Sequence, residues 1–201
     1  EPTGKVSGWL HHNLKPGSRV RAHGPSGIFS VHHHPASKYL FLAGGVGITP
    51  LMSMTRWLFD QGRHTDVSFV QCARTPSDLL CRSELEAISA RVPEFRVSFV
   101  CERPNPYGAW TGYSGRLNQL MLELICPDYF EREVFCCGPE PYMQAVRNVL
   151  QAAGFDMRRY HEESFATPVH DASETRQHGD VQIEAGRSAN VRFAASDREM
   201  A

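Results

Sequence analysis

The sequence predicts an α/β protein built on a doubly wound, five-stranded parallel sheet. Three observations predict it. Short apolar runs alternate along the chain with segments whose apolar residues recur every three or four positions. The stretch 38–57 reads as strand, glycine turn and capped helix. A second stretch, Phe135-Cys136-Cys137-Gly138-Pro139-Glu140-Pro141, again ends a strand and opens a helix.

The chain begins with residues 4–14, which read as a turn into a short helix. Ser7 is its expected N-cap, Leu10 and Leu14 lie at i, i+4, and Lys15-Pro16-Gly17 ends it. Ser18 to His23 alternates weakly, as a strand does, and Gly24-Pro25-Ser26-Gly27 is a strong turn. So short a segment cannot bury a core alone, so it reads as the end of a domain that begins before Glu1. An opening Glu rather than Met points to a piece or a processed form. His32-His33-His34-Pro35 reads as a solvated loop, because consecutive histidines diverge.

Tyr39 to Ala43 is short and apolar enough for a buried strand. Gly44, Gly45, Val46 and Gly47 then form a turn of nearly bare backbone. Thr49 is the expected N-cap, Pro50 the first helical residue, and Leu51, Met54, Leu58 and Phe59 the apolar face. Such a unit aims backbone N–H groups and a positive helix end at an anion, typically a diphosphate.

The pattern then repeats. Strands are expected over 66–72, 95–101, 133–137 and 157–163. Helices are expected over 78–91 (Leu79, Leu85, Ile88 inward), 115–125 (Leu117, Leu120, Met121, Leu124) and 141–153 (Met143, Val146, Val149, Leu150). Gly154 closes the last helix, and Tyr107 to Ser114 reads as a loop. Residues 166–180 lose all apolar period and read as a linker. Residues 181–184 and 189–193 alternate about a turn and suggest a hairpin, the start of a further domain cut short at Ala201.

Composition narrows the function. With 21 basic and 22 acidic residues in 201, no charge excess suggests nucleic acid. No stretch approaches the roughly 20 apolar residues of a membrane span. The six cysteines lack C-x-x-C spacing and lie partly in strand-like runs, which suits small buried hydrophobes in a reducing cytoplasm rather than zinc or disulfides. His11, His12 and His32 to His34 lack organised ligand spacing.

In an open parallel sheet, ligands bind beyond the carboxyl ends of the strands. The loops 45–50 and 137–139 should therefore share an edge, leaving room for a flat ligand to approach Cys137. Tyr160-His161-Glu162-Glu163-Ser164-Phe165 ends the last strand there, and sets an aromatic beside a carboxylate. Taken by itself, Phe165 reads first as a core anchor and second as a stacking residue.

Gly4-Lys5-Val6-Ser7, Gly24-Pro25-Ser26-Gly27-Ile28-Phe29, Gly44 to Pro50, Cys137-Gly138-Pro139 and Glu163-Ser164-Phe165, in that order, resemble the motifs of the ferredoxin–NADP reductase superfamily. Within it the chain most resembles FAD- and NADH-using reductase components of two-component (Rieske-type) oxygenases that carry a C-terminal plant-type 2Fe-2S domain, with glycine betaine and related quaternary-amine monooxygenase reductases nearest. The resemblance implies that residues 1–37 end an FAD-binding β-barrel, 38–165 bind NAD(P), and 181–201 begin a ferredoxin-like domain. It implies that Gly4, Lys5, Val6 and Ser7 hold the flavin diphosphate and that Gly45 to Pro50 hold the coenzyme, with Thr49 near its nicotinamide side. Cys137, followed by Gly138 and Pro139, would lie against nicotinamide C4, with Glu163 and Phe165 beside the flavin ring. Trp110 to Gly112 with Gly115 and Arg116 would be structural.

Where NADP-using members carry a serine and an arginine, this chain has Cys101 and Glu102. A carboxylate repels a 2′-phosphate and accepts from a 2′-hydroxyl, so NADH is expected, although Arg74 could meet a phosphate. The family's R-x-Y-[ST] flavin motif and the C-x4-C-x2-C cluster run are absent from the sequence. The implied reaction passes electrons from NADH through FAD to an iron–sulfur centre and an oxygenase partner. The alternatives are a flavohaemoglobin-like reductase with another acceptor and a nucleotide-binding module without electron transfer.

Overall fold

β1 (Lys38–Gly44) is the strand about which the rest is laid, and every residue after Lys38 is buried. A strand covered on both faces needs apolar side chains on both, which explains its unbroken run. The computed structural model describes residues 5–19, 27–62, 65–103, 109–165, 191–193 and 198–200. They fall in two units, residues 1–26 with 170–201 and residues 27–169.

In the larger unit β1 pairs in parallel with β2 (Asp66–Ala73) on one side and β5 (Glu133–Cys137) on the other. β3 (Phe95–Cys101) and a two-residue strand, β4 (Tyr113–Ser114), extend the sheet beyond β2, and β6 (Tyr160–Glu163) extends it beyond β5. The order is β4-β3-β2-β1-β5-β6, all parallel. The doubly wound parallel fold is as expected. The sixth strand is additional, formed where the expected loop runs along the end of β3. The chain reverses its direction of travel across the sheet between β1 and β5, which places the topological switch point there.

α2 (Ile48–Asp60) and α3 (Arg82–Arg91) cover one face, and Tyr39, Phe41, Phe69 and Phe135 fill the core beneath them. α4 (Gln119–Ile125) and α5 (Glu140–Ala152) cover the other face over Leu40, Leu42, Val70 and Val134. α5 ends in a Schellman motif, with Gly154 at φ 78°, its N–H donating to Gln151 O and that of Phe155 to Leu150 O. Met143, Val146 and Leu150 point inward as expected.

Several local expectations are corrected. α2 starts at Ile48, continuing a 3-10 turn over Gly45–Gly47, so Gly47 rather than Thr49 is the N-cap and Pro50 is the third helical residue. Proline is still tolerated there, because first-turn N–H groups have no intrahelical partner. Phe59 lies off the apolar face and is exposed, while Met52 takes the inward place. The helix expected from Asp78 is interrupted. Asp78 accepts from the Thr75 N–H at 3.0 Å and hydroxyl at 2.8 Å, which closes a 3-10 turn before α3 begins at Arg82. α4 begins only at Gln119, where the Asn118 side chain accepts from the Met121 N–H at 3.0 Å. That start turns Leu122 inward and leaves Leu120 and Leu124 65% and 62% exposed, not in the core. The last strand is shorter than expected, because Met157–Arg159 forms a 3-10 turn.

Residues 28–36 lie against this sheet: Val31 is buried in the core and the His34 ring stacks on His161 at 3.7 Å. His34 is therefore a half-buried packing residue rather than part of a solvated loop.

In the smaller unit α1 (Lys5–Asn13) begins two residues before Ser7, which makes Ser7 helical rather than an N-cap. Serine is neutral enough in a helix for either place. β7 (Val191–Phe193) pairs antiparallel with β8 (Arg198–Met200). The expected strand over 18–23 lies largely outside the described residues, as do Gly4, the linker at 166–180 and the 181–184 half of the expected hairpin.

Candidate functional site

The register of the sheet assembles the site. Ala43 of β1 stands opposite Cys137 of β5, and Cys137 opposite Glu163 of β6. The penultimate residue of β1 and the last residues of β5 and β6 thus form one row at the switch point, with the Gly44–Pro50 turn and the Cys137–Pro139 turn rising from it side by side. Their contact is close: a Cβ on Gly47 would lie 2.1 Å from the Cys137 carbonyl oxygen.

The first loop suits an anion. Gly45 takes φ 54°, a left-handed value that glycine reaches without strain, and a Cβ there would meet nothing within 4 Å. No side chain caps α2, so its first-turn N–H groups and positive end have no side-chain acceptor. Thr49 is exposed and its hydroxyl donates to Val46 O at 3.1 Å, while Val46 is itself exposed. Pro50 is half-buried at the foot of the loop.

Cys137 is 0% exposed, which corrects the expectation of open approach to its sulfur. Burial, and then the Glu163 carboxylate, push its thiol up to about 11, partly opposed by the Gly138 N–H. The thiol is neutral at pH 7, so it is not poised as a nucleophile. Gly138 is buried beside it and Pro139 exposed. At the end of β6 the two carboxylates differ. Glu162 is engaged by Arg147 and by the Tyr160 hydroxyl at 2.8 Å, whereas Glu163 is half-buried in the row with Cys137. Phe165 is 55% exposed, so it is not a core anchor.

The other end of the edge carries Arg74 after β2 and Glu102 after β3. They are brought together by backbone bonds from Glu102 N–H to Ala73 O at 3.0 Å and from Arg103 N–H to Arg74 O at 2.8 Å. Arg116 Nε lies 3.4 Å from Glu102 Oε1. The resemblance makes Arg116 structural and does not predict this pair. Its signal was Gly115, whose φ of 106° and N–H bond to Cys101 O fold the loop back over the end of β3. Of the Gly4–Ser7 group, the structure describes only the helical backbone of Lys5, Val6 and Ser7, in the other unit. Among the described residues no group of three or more His, Cys, Asp or Glu is placed to hold a metal ion, and no helix is long and apolar enough to cross a membrane.

The family model for the oxidoreductase NAD-binding domain matches residues 41–148, more than half of the chain. The chain is 53% identical over 195 residues to the glycine betaine monooxygenase reductase subunit of Chromohalobacter salexigens, covering 94% of this chain and 53% of that one. It is 48% identical over 188 residues to the stachydrine N-demethylase reductase subunit of Rhizobium meliloti, covering 94% and 53%. It thus spans about half the length of these curated relatives. Among solved structures, the flavohem-like FAD/NAD-binding domain of nitric oxide dioxygenase from Vibrio cholerae matches with a TM-score of 0.69 at 26% identity, covering 83% of this chain and 67% of that one. The comparisons bear out the resemblance read from the ordered motifs.

Proposed function

Because the chain belongs to the oxidoreductase NAD-binding domain family, we propose that it is the coenzyme-binding part of a flavoprotein reductase that takes electrons from NADH and passes them through FAD and a 2Fe-2S centre to an oxygenase component. The observation that carries this reading is the row Ala43, Cys137, Glu163 at the β1/β5 switch point, with an uncapped helix end beside it. The two relatives named as oxygenase or demethylase reductase subunits support the choice of acceptor.

When bound, the nicotinamide and flavin supply the redox chemistry, and the protein supplies alignment and electrostatics. The Gly44–Pro50 backbone and the α2 N-terminus hold the coenzyme diphosphate. Cys137, uncharged, sets the depth of the nicotinamide ring, with Thr49 on the opposite loop. Glu163 sets the charge near the flavin, and Phe165 offers an aromatic face for stacking. Glu102 accepts from the free ribose 2′-hydroxyl of NADH and repels the phosphate of NADPH. Gly4, Lys5, Val6 and Ser7 hold the flavin diphosphate, with residues 1–37 ending the flavin domain, 166–180 a linker and 181–201 opening the cluster domain. Six free cysteines fit a reducing cytoplasm.

The test is anaerobic mixing of the FAD-loaded full-length reductase, flavin domain included, with NADH or NADPH. Rapid bleaching of flavin absorbance by NADH is expected. No bleaching by either coenzyme overturns the reading, and equal or faster bleaching by NADPH overturns the choice of NADH.

A further inference from the structure

Gly44 does not need to be glycine for the sake of its own backbone. Its φ of −114° and ψ of 113° are extended values open to any residue. What excludes a side chain is Tyr142. The three atoms nearest a Cβ built on Gly44 all belong to that ring, at 2.6, 2.9 and 3.0 Å. Gly138, on the other loop, faces the same ring. A Cβ there would lie 2.8 Å from Tyr142 Cδ1 and 3.0 Å from both Cα and O of Gly44.

Tyr142 is the third residue of α5, so the helix that starts from the cysteine loop carries the ring back against the end of β1. Pro139 O accepts from the Tyr142 N–H at 2.9 Å, which fixes the base of the side chain to the loop itself. The hydroxyl is buried beside the Cys72 thiol, opposite Gly44 in β2, without a well-formed hydrogen bond.

We propose that Tyr142 is a positioning residue: its ring is a wedge seated against Gly44 and Gly138 together, which holds the glycine loop after β1 and the cysteine loop after β5 in their mutual placement. It acts through Gly44 and Gly138 and touches no reacting atom. The inference rests on the nicotinamide reading above. One loop would hold the diphosphate and the other the nicotinamide, so their spacing decides how the reacting carbon meets the flavin. A misplacement of about 1 Å can cost about 100-fold in rate.

The test uses the FAD-loaded full-length reductase, flavin domain included. Tyr142→Phe keeps the ring and is expected to reduce flavin within about twofold of the unmutated rate, whereas Tyr142→Ala is expected to be slower by about tenfold or more with NADH affinity changed less than about threefold. Gly44→Ala alone is expected to lower both the melting temperature and the rate. Adding Tyr142→Ala to it should recover part of each, because the clashing ring is gone. Unchanged melting of Gly44→Ala, strictly additive losses in the double variant, or an effect of Tyr142→Ala confined to affinity would each overturn the wedge. If the unmutated protein is bleached by neither coenzyme, the proposed function falls, while the melting series still decides whether ring and glycine are matched.

Discussion

Arg132 and Asp66 form a two-pronged ion pair beneath the sheet, Nη1 to Oδ1 at 2.9 Å and Nη2 to Oδ2 at 3.1 Å. Asp66 opens β2 and Arg132 immediately precedes β5, with β1 between them. The same guanidinium, 0% exposed, also donates to Tyr39 O at 3.1 Å and through Nε and Nη2 to Asp128 at 2.8 and 2.9 Å. One side chain therefore ties three neighbouring strands at the edge opposite the site. Arg132→Met leaves Asp66 and Asp128 without their main partner. A loss of about 3–5 kcal/mol in urea unfolding is expected, as for breaking a buried pair. A loss under about 1 kcal/mol, the size for exposed pairs, would show that water replaces the guanidinium freely.

Cys137→Ser keeps a small side chain but exchanges a polarizable sulfur for a hydroxyl that is harder to strip of water. The expected result is flavin reduction slower by about tenfold with NADH affinity nearly unchanged, since alignment rather than binding is lost. With the thiol pushed up to about 11, the unmutated rate should show no thiol titration between about pH 6 and pH 9. A change in affinity alone would contradict the positioning role.

Glu102→Gln removes the carboxylate that opposes a 2′-phosphate while keeping its size. The ratio of NADPH to NADH turnover should rise about tenfold, equivalent to about 1.4 kcal/mol. Arg116→Ala should act in the opposite direction, because it strips Glu102 of the cation 3.4 Å away. Steady-state comparison of the two coenzymes reads both, and an unmoved ratio in both variants would remove Glu102 from selection.

His34 links the segment before β1 to the sheet. Burial and then the stacked His161 hold its pKa below the usual value, against the opposing pull of Glu133, which bonds His161 Nε2 at 2.7 Å and Arg159 Nε at 3.0 Å. A His whose folded pKa is depressed contributes stability present above the unfolded value, about pH 6.5, and loses it as pH falls. The melting temperature should therefore drop on acidification below about pH 6.5, and His34→Phe, which keeps a stacking ring, should flatten that part of the profile. An equal drop in the variant would place the acid sensitivity elsewhere.

Much of this was legible in the sequence, and the misses share a cause. β3 and β5 were bounded to the residue, because their apolar runs are closed by turn-forming neighbours. Gly154 was placed correctly, because a left-handed cap is a local requirement. Leu120, Leu124 and Phe59 were misplaced, because a helical stripe shifts when the helix starts a few residues away, and the Asn118 cap and the 3-10 turn before α2 set those starts. Arg132 and Tyr142 show no sufficient local pattern, since Asp66, Tyr39 and Gly44, which they hold, lie tens of residues away in the chain.

Alternation, turn chemistry and motif order are local properties of the chain, and they suffice for the α/β class, the two glycine-bearing loops and the family. Which residues face one another emerges with the fold: Ala43, Cys137 and Glu163 in one row, Arg116 on Glu102, and the Tyr142 ring against Gly44. The physical reason lies in the last pair. Gly44 read as a flexible turn residue, yet its backbone is an ordinary strand, and what demands glycine there is a ring from α5, nearly a hundred residues further along the chain.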